Sequence, residues 1–192
     1  MSDPWPRQLD DVARLVVDEI GASPAAVVAA SAGFGGYWRR AIGAHGSLWP
    51  GGPAAAPTSV FDLASVTKSF VALSAARLNR QRPELWTTPL GRLLAEARGT
   101  PSESITLDLL LAHRAGLDAH RPLYAPLVEG TPVARAGALR EAASARRADC
   151  PGDPPAEGFA PLYSDLGYLL AGAALERASG RRLGELVAHE VV

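Results

Sequence analysis

Ser65 and Lys68 stand three residues apart in Phe61-Asp62-Leu63-Ala64-Ser65-Val66-Thr67-Lys68-Ser69-Phe70-Val71, at the point where a helix should begin. A serine hydroxyl is a weak nucleophile until a neighbouring base takes its proton. Lysine can be that base when desolvation or a nearby positive charge lowers its pKa, whereas arginine cannot be deprotonated in proteins. The 19 basic residues are eighteen arginines and one lysine, Lys68, and this lysine follows a serine by three. Tyr163-Ser164-Asp165 forms a second cluster. A tyrosine held against a Ser–Lys pair can serve as a general base or relay a proton to a leaving group. Two plainer readings stay open: Asp165 as a helix N-cap, and Tyr163 as a half-buried core aromatic.

The elements that must position these groups follow from periodicity. Residues 66–78 are mostly apolar, which predicts a helix buried most of the way round, with positions i and i+3 on one face. Ser65 would sit in its first turn, where free N–H groups and the helix dipole favour a developing oxyanion. Earlier, Leu9, Val12, Ala13, Val16, Val17 and Ile20 predict an amphipathic helix with Asp10 and Asp11 in its first turn and Gly21 just past its end. Runs 25–31 and 37–42, split by Gly33-Phe34-Gly35-Gly36, read as a β-hairpin. The 43–58 stretch is a connecting loop, and its Trp49 covers the core or lines a pocket.

Beyond Pro83 the pattern is almost wholly helical. Thr88, Thr106 and Thr131 are expected caps for helices over 90–97, 107–112 and 132–148. The arginines of the third, Arg135, Arg140, Arg146 and Arg147, read as a solvated face. After a proline-rich loop at 151–161, helices are expected over 166–178, ending at Gly180, and from Leu183.

Composition narrows the function. At 192 residues, with 47% apolar and 20% charged residues, the chain suits one globular domain, 1–192. A net charge of −1 gives no electrostatic case for nucleic acid or an anionic membrane. Cys150, the one cysteine, has no internal disulfide partner and no metal-ligand spacing around it. Neither a metal nor a cofactor is implied, the four histidines being scattered. The polar, proline-broken opening Met1-Ser-Asp-Pro-Trp-Pro has no leader-like pattern, and the expected location is cytoplasmic.

Three motifs in order, Phe61-Asp-Leu-Ala-Ser-Val-Thr-Lys68, Ile105-Thr-Leu-Asp-Leu-Leu-Leu-Ala-His-Arg-Ala-Gly-Leu117 and Tyr163-Ser-Asp-Leu-Gly-Tyr168, resemble the serine β-lactamase-related hydrolases. That family includes class C β-lactamases, DD-peptidases and β-lactamase-like carboxylesterases. The resemblance runs from about Pro24 to Val192. It implies an α/β (α+β), β-lactamase/transpeptidase-like fold: an N-terminal hairpin of an antiparallel sheet, a helical region, and C-terminal sheet strands that lie beyond this sequence. By the match Ser65 is the acylated nucleophile, Lys68 its proton acceptor, Tyr163 the relay and Asp165 a substrate-binding residue, with the Ser65 N–H as half of an oxyanion hole. Two departures stand out. Asp165 replaces the family's asparagine, and an ionised carboxylate only accepts hydrogen bonds. His113-Arg114-Ala115-Gly116-Leu117 replaces His-Thr-Ser-Gly-Leu, which makes His113 a structural histidine ending its helix.

The expected activity is therefore serine hydrolysis through an acyl-enzyme, on a small-molecule ester ahead of an amide. β-Lactamase or DD-peptidase activity is the alternative within the class. An inactive truncated homologue that binds or scaffolds is the alternative outside it. The same comparison makes the 192-residue chain an incomplete catalytic domain, expected to be poorly soluble and weakly active alone.

Overall fold

Two glycines set the first element of structure. In the computed structural model, which describes residues 5–191, Gly35 and Gly36 have φ of 55° and 86° and turn the chain between β1 (Ala25–Phe34) and β2 (Tyr37–Gly46). Positive φ at both central residues marks the type I′ turn, whose twist matches that of paired strands. The pairing is antiparallel, with Ala25 opposite Gly46 and Phe34 opposite Tyr37. The strands are thus longer than the apolar runs 25–31 and 37–42, because the ladder continues to the edge of so short a turn.

Helix α1 (Trp5–Arg14) packs on this hairpin and runs into a π-turn, Leu15–Glu19. A Cβ at Gly43 would lie 2.3 Å from the Asp10 backbone nitrogen, so glycine is what lets helix and strand approach. The helix starts earlier than its apolar pattern, which moves Asp10 out of the first turn. Its carboxylate instead accepts the Ala44 N–H at 3.0 Å. Ala13 is buried, but Ile20 is exposed. The Ile20 N–H bonds the Leu15 carbonyl at 2.9 Å, an i→i+5 turn that takes Ile20 out of phase with the stripe. Trp49 is largely exposed, its ring beside Gly52. The opening residues 1–4 lie outside the described residues.

These elements belong to one compact unit, Met1–Asp62; the second is Leu63–Val192. It holds α2 (Thr67–Gln81), α3 (Leu90–Leu93), α4 (Leu107–Leu111), α5 (Ala125–Val128), α6 (Arg135–Ser144), α7 (Asp165–Ser179) and α8 (Leu183–Glu190). Leu90, Leu94, Ile105, Leu107, Leu110, Leu170, Leu175 and Leu186 form its core, each withdrawn from water. Burying one such side chain contributes about 1.5–3 kcal/mol. The chain is a mixed helix-and-strand fold with a two-stranded antiparallel sheet.

Three helical expectations change. The helix expected over 90–97 breaks after Leu93, and none of the three threonines caps its helix by a side-chain bond. At α3 the reason is visible: the Leu90 and Gly91 N–H groups donate to the Ile105 and Glu103 carbonyls at 2.7 and 2.9 Å. With backbone acceptors in place the first turn has no use for a hydroxyl. Helix α6 stops at Ser144, so Arg146 and Arg147 lie past it. Arg146 ties down the carbonyls of Cys150 and Gly152, both at 3.2 Å, and that of Pro101. Arg147 meets Asp149 at 3.2 Å, so Arg146 and Arg147 staple loops, whereas Arg135, paired with Glu176, and Arg140 lie exposed on α6 as a solvated face would have them.

Candidate active site

Ser65 lies in a 3-10 turn, Ala64–Val66, that feeds straight into α2. Ala64, just before it, has φ of 44°, a left-handed conformation that alanine rarely adopts. Strain of this kind beside a reactive group is held only where surrounding structure over-determines it. One turn on, the Lys68 amine donates to Ser65 Oγ at 3.2 Å, as the i, i+3 spacing requires.

Tyr163 arrives from 98 residues away, and its hydroxyl donates to Ser65 Oγ at 2.8 Å. Asp165, at the start of α7, accepts from Lys68 Nζ through Oδ1 at 2.6 Å, and His120 Nδ1 stands 3.7 Å from its Oδ2. The helix cap here is Ser164: its Oγ accepts the Gly167 N–H at 3.2 Å and donates to the Asp118 carbonyl at 2.7 Å. That leaves the Asp165 carboxylate for the site. Ser65, Lys68, Tyr163 and Asp165, nominated from separate motifs, thus form one connected group.

The electrostatics of the group differ from the sequence expectation at Lys68. Its burial lowers the pKa, but hydrogen bonds to Asp165 and Tyr163 and their charges outweigh this, so Lys68 ends above its ordinary value. Lys68 is therefore an ammonium in the free chain. Its hydrogen bond, with that of Ser65, pulls the Tyr163 phenol below its usual range. The hydrogen bond from Lys68 likewise lowers Asp165, against some desolvation. The Lys68 ammonium lies 4.8 Å from the centre of the Tyr163 ring and 5.7 Å from that of Tyr168. Tyr163 is half exposed and stands outside the hydrophobic core, so of the plainer reading the half-burial holds and the core position does not.

Beside the group is a cavity of about 430 Å³ walled by Val71, Leu123, Leu166, Leu169 and Leu183, with Lys68 and Asp165 among its lining. Such a mostly apolar hollow with a few convergent polar groups is the usual form of a small-molecule site. Among the described residues there is no cluster of His, Cys, Asp or Glu arranged to hold a metal, and no helix is long and apolar enough to cross a membrane.

Residues 13–192 match the Beta-lactamase family. The chain belongs to that family. Among solved structures of the fold it is similar to a class C β-lactamase from Rhodobacter sphaeroides, with a TM-score of 0.64 and 23% identity, over 95% of this chain and 47% of that one. It is also similar to EstCE1, a hydrolase with promiscuous acyltransferase activity, with a TM-score of 0.61 and 24% identity, over 96% and 50% of the two chains. Unguisins hydrolase ungD' of Aspergillus campestris is 24% identical over 143 residues, 70% of this chain and 26% of that protein. The chain thus spans about half the length of the solved structures and about a quarter of the curated relative.

Two residues of this family member escaped the sequence reading as site residues. Tyr168 follows Asp165 by three on α7, so the helical period was a usable signal. It donates to the Leu111 carbonyl at 3.0 Å and turns its ring toward Lys68. His120 carried no comparable signal: a lone histidine in a loop meets Asp165 only because the loop before α5 folds back over the α7 terminus.

Proposed function

We propose that the chain carries the catalytic half-site of a serine hydrolase that works through an acyl-enzyme on Ser65, with small-molecule esters as its substrates. The observation that carries this reading is the pair of hydrogen bonds converging on Ser65 Oγ, from Lys68 at 3.2 Å and Tyr163 at 2.8 Å. In the first step Ser65 Oγ bonds to the ester carbonyl carbon and the alkoxy bond breaks. The Ser65 proton passes through the Tyr163 oxygen to the departing alkoxide, which leaves as an alcohol. Water then adds to the acyl carbon, the proton returns along the same path, and the carboxylic acid departs as the Ser65 ester breaks. The Ser65 N–H supplies half of the oxyanion hole.

Asp165 sharpens the assignment of roles. With Lys68 held as an ammonium, Tyr163 accepts the Ser65 proton in its phenolate form, which the Lys68 charge favours over the phenol that donates to Ser65 Oγ at rest. Asp165 stands in place of an amide and is engaged by Lys68, so it is not a donor to a substrate amide carbonyl. This favours esters over β-lactams and peptides, and the apolar walls of the adjoining cavity suit an uncharged acyl group. The hydrolase names of the relatives support the class.

The test is covalent labelling of Ser65 by a fluorophosphonate, read by intact mass, with Ser65→Ala as the blank. Rates on a short-chain nitrophenyl ester and a chromogenic cephalosporin then rank the substrates. Tyr163→Phe should slow labelling by about 10²–10⁴-fold, the usual size of a lost acid–base contribution. Lys68→Arg keeps the charge but cannot give up a proton to become a base. Residual labelling in Lys68→Arg, with none in Tyr163→Phe, assigns the proton to Tyr163, and the reverse pattern assigns it to Lys68. No label on Ser65 in the full-length protein overturns the hydrolase reading in favour of a binding or scaffolding homologue.

A further inference from the structure

Tyr163 sits on a loop rather than a helix or strand, yet its hydroxyl must keep a 2.8 Å contact with Ser65. The residues on either side of it both bond to one residue. The Leu162 N–H donates to the His113 carbonyl at 3.0 Å, and the Ser164 N–H donates to His113 Nδ1 at 3.0 Å. The His113 ring packs between two tyrosines, with its centre 4.6 Å from that of Tyr163 and 5.1 Å from that of Tyr168. Its backbone has φ of 59°, a conformation that histidine, asparagine and aspartate adopt more readily than most residues.

We propose that His113 is the positioning residue of the Tyr163 loop, holding the amides on both sides of Tyr163 through its carbonyl and a neutral ring, a role that rests on the hydrolase reading above. A ring nitrogen that accepts an N–H has its lone pair free, so the ring is the tautomer protonated on Nε2. Protonation would place a hydrogen on Nδ1, facing the Ser164 N–H, and turn one acceptor and one donor into two donors. The groups facing the ring are Lys68 from α2, Asp165 and Tyr168 from α7, and Tyr163 from the loop itself. Burial lowers the His113 pKa first and the Lys68 charge lowers it further, while Asp165 opposes. The neutral ring therefore persists below the ordinary imidazole value of about 6.5. Because the folded pKa is depressed, the contribution of the clamp is complete above the unfolded value and is lost as pH falls through the folded one. Acid thus releases Tyr163 and with it the contacts that Tyr163 makes to Ser65 and Lys68.

Three substitutions test this in the full chain. His113→Asn places an amide oxygen near the Nδ1 position, tolerates positive φ and does not titrate. His113→Gln sets its amide one bond too far out, and His113→Ala removes the acceptor. Fluorophosphonate labelling of Ser65 should slow by about 10²-fold in His113→Ala and His113→Gln, the scale of losing an aligned reacting group. His113→Asn should label near the parent rate and lack the parent's loss of rate in acid. The proposal is overturned if His113→Ala labels at the parent rate, if His113→Asn is as slow as His113→Ala, or if its acid limb matches the parent's. A second arm needs no activity: ring-nitrogen chemical shifts at neutral pH should give an unprotonated Nδ1, and the Ser164 amide should exchange slowly until the ring titrates. A protonated Nδ1 or an unprotected Ser164 amide overturns the clamp. A parent that does not label at Ser65 removes the hydrolase reading alone, and this second arm then decides the role of His113.

Discussion

Helices α2 and α7 are each 15 residues long, and each brings part of the candidate site to its N-terminal end, yet the fold treats them differently. Helix α2 buries one narrow stripe, Val71, Ser74, Ala75 and Leu78, and leaves Leu73 exposed. Helix α7 buries Leu166 and Gly167 and then a continuous run from Leu170 to Leu175. The expectation of an α2 buried most of the way round is thus met by α7 instead. Ser69, Arg77 and Arg80 interrupt α2 on its outer side, whereas no polar side chain except Tyr168 intervenes between Asp165 and Glu176. The contrast has a functional side. The central helix is the rigid post to which the Asp165 and Tyr168 contacts are fixed. The 3-10 turn that holds Ser65 and leads into α2 stays at the surface.

If that contrast is right, Leu170→Ala should be the most damaging of these changes. Leu170 is fully buried in the middle of α7, and truncation there removes transfer free energy and leaves a cavity. The expected loss is about 2–5 kcal/mol, read by urea denaturation. A loss under about 1 kcal/mol would mean that α7 is not the post around which the unit packs.

Ser164→Ala attacks the α7 terminus rather than its middle. It removes the cap on Gly167 and the bond to the Asp118 carbonyl. Loss of a cap of this kind costs about 0.5–2 kcal/mol. Because Ser164 adjoins Tyr163, labelling of Ser65 should also slow, whereas a substitution deep in α7 that keeps the fold should not affect it.

Asp165→Asn probes the link between the two helices. The folded Asp165 pKa is depressed, so its stabilisation is present above the ordinary carboxylate value of about 3.9 and is lost as pH falls through the folded value. The Lys68 pKa is raised, so its share is complete below the ordinary lysine value and is lost as pH rises through the folded one. The variant should show a flatter dependence of stability on pH at both ends. Unchanged curvature in thermal melts across the pH range would break the link. The pair is partly exposed, so the effect at neutral pH should be small.

The least effect is expected from Leu73→Ala on the outer side of α2. This side chain is more than half exposed, so the change should stay within about 0.5 kcal/mol. A larger loss would show that the outer side of α2 is packed in solution.

Much of the site was legible before the fold was known. The Ser65–Lys68 contact follows from helical spacing alone, and the hairpin from two adjacent glycines, because both depend on residues a few positions apart. The start of α7 was legible to within a residue, although its cap proved to be Ser164 and not Asp165. Of the three threonines only Thr106 holds the N-cap position, without a side-chain bond, and at α3 distant backbone carbonyls took the orphan N–H groups first.

What the sequence by itself determined, then, is the local chemistry: a serine with a lysine one turn away, a tyrosine motif at the mouth of a second helix, and an apolar content sufficient for a core. Tertiary structure alone decided that Tyr163 meets Ser65 across 98 residues, that Asp165 takes the Lys68 ammonium across 97, and that His113 grips both flanks of Tyr163. The physical reason is range. Spacing within one helix fixes a contact through covalent geometry. Contacts across the fold exist only once burial of the leucine core has brought α2, α4 and α7 together.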